Sequence, residues 1–139
     1  MRGKNNGFSL IELLIVVTVV GIIAALAVPM LQKGIRASEN GNTFASMRTI
    51  ASTQVNFYSQ NGRFGRLSEI NNVLSGSIGT PSGTDVTHGK FIISMVPASP
   101  SDTELKDGYT ITATRNVAGE GVVYQYVINQ SGEIKPVLP

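Results

Sequence analysis

Apolar residues are distributed very unevenly along this chain. From Leu13 to Gln32 there is no charge, and almost every position is Leu, Ile, Val or Ala. A helix of about 20 such residues crosses a hydrocarbon core of roughly 30 Å. Beyond Lys33 the pattern turns amphipathic. Phe44, Met47, Ala51, Val55 and Tyr58 recur in steps of three and four, with Ile50 widening the stripe, and this spacing predicts a helix that packs one face on a core. Gly34 and Gly41 weaken the helix on the approach, and Asn61-Gly62 supplies a stop, because glycine tolerates the left-handed conformation that caps a helix.

The remainder alternates with a period of two. Asn72 to Gly89, rich in Gly, Ser and Thr, is expected to be an irregular connection. Phe91 to Val96 predicts a strand. Tyr109, Ile111 and Ala113 alternate with Thr110, Thr112 and Thr114 in a second, and Val122, Tyr124, Tyr126 and Ile128 share one face of a third. Gln130-Ser131-Gly132 turns the chain into a short terminal segment, Ile134 to Val137, whose Pro136 suits a sheet edge. The expected fold class is α+β: a long N-terminal helix, membrane-embedded in its first half, whose second half packs on a small antiparallel sheet.

The formal charge of +2 and a pI near 9.1 invite an acidic partner. Arg2 and Lys4, however, precede the apolar run, and a chain without its first seven residues has nine basic and nine acidic groups. Arg63 and Arg66 are too few to argue a nucleic-acid surface, so no specific nucleic acid is expected. The sequence has no cysteine, which rules out a disulfide, a thiolate nucleophile and a Cys-based zinc site.

A basic start and an apolar run also describe a secretory signal, and Ala24-Ala25-Leu26-Ala27 leaves a late cleavage open. The run is nonetheless longer than the usual signal core of about 7 to 15 residues. Glu12 adds something neither a signal nor an anchor requires. A membrane-embedded carboxylate costs about 3 kcal/mol near a helix centre, while each Leu, Ile, Val or Phe returns roughly 0.3 to 0.6 kcal/mol. The eleven such residues from Leu13 to Val28 outweigh it. The segment inserts despite Glu12, and the carboxylate needs a reason of its own.

Gly7-Phe8-Ser9-Leu10-Ile11-Glu12-Leu13 resembles the processing site of prepilins in the type IV pilin and type II secretion pseudopilin family, and Pro29 lies where such pilins commonly kink the helix. Arg63-Phe64-Gly65-Arg66-Leu67, preceded by Tyr58 and Asn61-Gly62, resembles a short motif that follows the long helix in many of them. The resemblance implies a pilin-like chain in four parts: a cleaved basic leader, 1–7; a transmembrane and assembly helix, 8–32; its amphipathic continuation, 33–61; and a C-terminal globular region, 62–139. It implies a prepilin peptidase that cuts between Gly7 and Phe8 and methylates Phe8. Glu12 would meet the new N-terminal charge during assembly, about one helical turn away.

The implied partners are copies of the chain and related pilins in a filament, the peptidase, an inner-membrane assembly platform and, before assembly, membrane lipid. The implied location is the bacterial inner membrane, single-pass with a cytoplasmic N-terminus, and then a periplasmic or extracellular filament. The favoured role is a structural pilus subunit. The alternatives are a pseudopilin of a type II secretion system, or a minor or tip pilin for adhesion or DNA uptake.

No enzyme constellation emerges and no cofactor is expected. His88, the sole histidine, is expected as a solvated ring in a Thr-Gly loop. Asp102, Glu104 and Asp107 are weak calcium candidates: the family has calcium-binding members, but Lys106 occupies a would-be ligand position and the spacing departs from an EF-hand.

Overall fold

The computed structural model describes residues 7–116 and 123–138. The expected leader ahead of Gly7, and Val122 of the third expected strand, lie outside the described residues. The chain divides into two compact units, Met1–Ser38 and Glu39–Pro139.

Helix α1 runs Leu10–Asn61 with Pro29 inside it, and the sites expected to weaken it, Gly34 and Gly41, are both helical. It stops where Gly62 takes φ +69° and donates its N–H to the Tyr58 carbonyl at 2.8 Å, a left-handed ending that a side chain would strain.

In the second unit α1 is followed by α2 (Leu67–Val73), a hairpin of β1 (Thr80–Ser82) and β2 (Asp85–His88), then β3 (Phe91–Met95). The short α3 (Glu104–Asp107), β4 (Thr110–Asn116), β5 (Val123–Asn129) and β6 (Ile134–Leu138) complete the order. The six strands form one antiparallel meander in sequence order, β1-β2-β3-β4-β5-β6. The α+β class and the antiparallel sheet behind a long apolar helix are as expected.

Two features differ from the sequence reading. The stretch read as an irregular connection, Asn72 to Gly89, contains the end of α2 and the whole β1–β2 hairpin. Its strands are too short and too polar to show alternation, and only Val86 of the hairpin is buried. The buried face of α1 is also rotated toward its C-terminal end. Met47 and Ile50 enter the core as expected, but Val55 is 63% exposed and Tyr58 40% exposed. Thr53 and Gln54 are buried instead.

The core joins Met47 and Ile50 of α1 with Leu67 and Ile70 of α2 and the inward residues of the sheet, Val86, Phe91, Ile93, Met95, Ile111, Ala113 and Ile128. The predicted inward set Tyr109, Ile111 and Ala113 is buried, and the same parity brings Arg115 inward at 1% exposure.

Candidate assembly site

The N-terminal segment starts from its own capping chemistry. Ser9-Leu10-Ile11-Glu12 has the S-x-x-E spacing in which a glutamate reaches back to the residue before the helix. The Glu12 Oε2 accepts the Ser9 backbone N–H at 2.9 Å. Gly7, Phe8 and Ser9 lie outside the helix, and α1 begins at Leu10. A carboxylate in the first turn also complements the positive end of the helix dipole.

Phe8 and Leu10 are 80% and 84% exposed, and every residue from Gly7 to Ile35 is exposed. Length and composition suffice for a membrane span. Within it, Thr18 donates its hydroxyl to the Leu14 carbonyl at 2.8 Å, so its polar atom is satisfied inside the helix. Pro29 has no N–H to give to the carbonyl of Ala25, one turn back. Gly7 and Phe8 precede Glu12 by five and four residues, ahead of the helix, whereas Pro29 stands 17 residues beyond Glu12, roughly 25 Å along the helix.

The second family-like motif, Arg63 to Leu67, is a charged clasp. Arg63 donates from Nη1 and Nη2 to the two oxygens of Glu69 at 2.9 and 2.8 Å, and its guanidinium lies 5.5 Å from the centre of the Phe57 ring. Glu69 also accepts the Arg66 backbone N–H at 2.8 Å, which closes the start of α2. The Arg63 hydrogen bonds, reinforced by the Arg66 N–H, hold the Glu69 carboxyl down at about 2. The same pairing raises the Arg63 guanidinium above its ordinary value.

Beneath this clasp, the Gln54 amide pairs with the Gly65 backbone in both directions. Nε2 donates to the carbonyl at 2.8 Å, and the Gly65 N–H donates to Oε1 at 2.7 Å. Gly65 is required for that approach, since a Cβ there would sit 2.7 Å from Ile70 Cδ1. These contacts were not foreseen, although Arg66-x-x-Glu69 has the capping spacing. Arg115, 3.0 Å from Glu39 through Nη2 and 5.7 Å from the centre of the Tyr124 ring, was also missed. The parity of β4 was the signal.

Two of the three weak calcium candidates, Asp102 and Glu104, take other partners, and Asp107 ends α3. Asp102 meets Arg66 Nη2 at 2.6 Å. Glu104 accepts the N–H and hydroxyl of Ser101, both at 2.7 Å, and these bonds lower its carboxyl below the usual range. No group of three or more acidic, His or Cys side chains able to hold a metal occurs among the described residues. His88 lies on β2, half-buried, and not in a solvated loop. Its Nδ1 faces the Ile78 carbonyl and its Nε2 lies 3.3 Å from Ser46 Oγ. Burial pushes the Tyr109 hydroxyl up to about 12.

Comparison with known proteins follows the same segment. The model of the prokaryotic N-terminal methylation motif matches residues 2–28. The chain is similar to the type IV major pilin protein PilA of Myxococcus xanthus, 36% identical over 61 residues, which are 44% of this chain and 28% of that protein. It is also similar to a type IV major fimbrial protein FimA of Dichelobacter nodosus, 41% identical over 58 residues, 40% of this chain and 37% of that one. The match therefore spans about a third of the length of these curated relatives. No solved structure matches.

Proposed function

We propose, from the premise that this chain is a member of the type IV pilin family, that it is the subunit of a pilus-like filament, cut between Gly7 and Phe8, methylated at Phe8 and polymerised through α1. The observation that carries the reading is Glu12, a carboxylate at the start of the apolar stretch of α1, which is exposed at every residue as far as Ile35. In the uncut chain it is held by its own Ser9 N–H. Cutting removes Arg2 and Lys4 and creates an amine at Phe8. Among packed helices that amine and a carboxylate offset each other's desolvation, whereas either alone is costly.

The partners are copies of the chain and related pilins, a membrane peptidase that also methylates, and an inner-membrane assembly platform. Lipid surrounds α1 before assembly, and the filament lies in the periplasm or outside the cell. The same chemistry serves a type II secretion pseudopilin, and the lack of a cysteine pair to close a C-terminal loop is compatible with that second reading. Neighbouring genes for a secretin or a retraction motor decide between them.

Glu12→Val tests the assignment in cells lacking the native subunit. The substituted chain inserts and is processed at least as well, because an unfavourable group has gone from the span. Sheared filaments are lost. A normal filament yield removes the role of Glu12, and loss of processing transfers that role to recognition by the peptidase.

A further inference from the structure

Strands β1 and β6 close the two ends of the meander, and among the described residues each has one side with no neighbouring strand. All three residues of β1 are exposed, as is β6 from Lys135 to Leu138. Such an edge presents a row of N–H and C=O groups ready to pair with any extended chain, including a second copy of itself. Val137 and Leu138, 53% and 47% exposed, add apolar surface to the β6 edge.

Both edges are nevertheless blunted by the same device. On β1 the central residue is Pro81, opposite Val86. The two-residue turn Gly83-Thr84 makes Ser82 and Asp85 the hydrogen-bonded closing pair, so Pro81 and Val86 form the next, non-bonded pair. The nitrogen of Pro81 therefore points outward, to the position where an added strand would seek a donor, and it carries no hydrogen. On β6 the central residue is Pro136, opposite Tyr126, beside the charged Lys135 and next to a bulge at Gln125 and Tyr126. Short edge strands, proline, lysine and bulges are the features by which sheet proteins avoid edge-to-edge pairing.

We propose that both edges of the sheet are built to refuse a second copy of this chain, so that bodies crowded together cannot extend one another's sheets and association is left to other surfaces. The inference stands on the sheet alone and does not need the filament reading, although a filament is where bodies would crowd most.

The test uses the full chain in detergent micelles, as wild type, Pro81→Thr, Pro136→Thr and the double variant. Thioflavin T fluorescence and the intermolecular β band of the amide I spectrum are followed against protein concentration. The wild type stays flat. Each restored donor raises the sheet-to-sheet association constant about fivefold, the factor equivalent to roughly 1 kcal/mol, and the double variant associates at the lowest concentration. A double variant as flat as wild type, with its far-ultraviolet circular dichroism unchanged, overturns the proposal. If Pro136→Thr disturbs the body, Pro81→Thr decides alone, because β1 is wholly exposed: association supports the proposal and its absence overturns it. Repeating the series in a Glu12→Val chain separates this association from helix-driven assembly. The signal persists there if it belongs to the sheet and disappears if it does not.

Discussion

Replacing Glu69 tests whether the clasp after α1 holds the body together. Glu69 accepts two hydrogen bonds from Arg63 and one from the Arg66 backbone, and its side chain is 32% exposed against 18% for Arg63. The fall of its carboxyl from 4.5 to about 2 corresponds to roughly 3 kcal/mol of preference for the ionised form. Screening by solvent at a partly exposed pair reduces that to roughly 1 to 2 kcal/mol. The lost cap on α2 adds about 0.5 to 1 kcal/mol.

Glu69→Ala therefore costs about 2 to 3 kcal/mol, and Glu69→Gln, which keeps the cap, about 1 to 2 kcal/mol. For a body of this size 2 kcal/mol lowers the melting temperature by about 10 °C, read from the near-ultraviolet circular dichroism of the full chain in detergent. The pH dependence has a definite sign. Because the folded carboxyl titrates below its unfolded value, its contribution is complete above about 4.5 and is lost as pH falls through about 2. The gap between wild type and Glu69→Gln closes over that window. A gap that is the same at pH 7 and pH 2, or a Glu69→Ala cost below about 0.5 kcal/mol, refutes the reasoning.

Two further substitutions probe the same body. Gln54→Leu leaves the buried N–H and carbonyl of Gly65 without their partner and costs about 2 to 4 kcal/mol in urea unfolding; a neutral outcome would mean that water replaces the amide. Gly79→Ala drives a Cβ into the Thr87 carbonyl oxygen, which backbone cannot easily evade, and costs at least about 2 kcal/mol by thermal melting with loss of the β1–β2 hairpin contacts in hydrogen exchange. An unchanged melting temperature and exchange pattern would show that the loop relaxes.

The parts of this fold that the sequence revealed are those governed by one dominant periodicity. Leu13 to Gln32 could only be an apolar helix, Asn61-Gly62 ended it, and Tyr109, Ile111 and Ala113 marked the inward face of β4. Where burial depends on a specific partner, periodicity pointed elsewhere. Val55 and Tyr58 looked like core, yet Gln54 is buried because the Gly65 backbone satisfies both ends of its amide. Arg115 is buried with Glu39 beside it, a pairing between residues 76 positions apart that local spacing could not show. The hairpin Thr80–His88 is held by cross-strand pairing and one buried valine, leaving no alternation to read. At the N-terminus the S-x-x-E spacing of Ser9 and Glu12 carries the capping hydrogen bond, whereas the apolar run around Glu12 bears only on its charge.

The central claim, a subunit cut after Gly7 and assembled through α1, is tested most directly by the intact mass of this chain recovered from filaments sheared off cells. The account predicts a single species beginning at methylated Phe8. A species that keeps residues 1–7, one beginning near Val28, or no chain in the sheared fraction would contradict it.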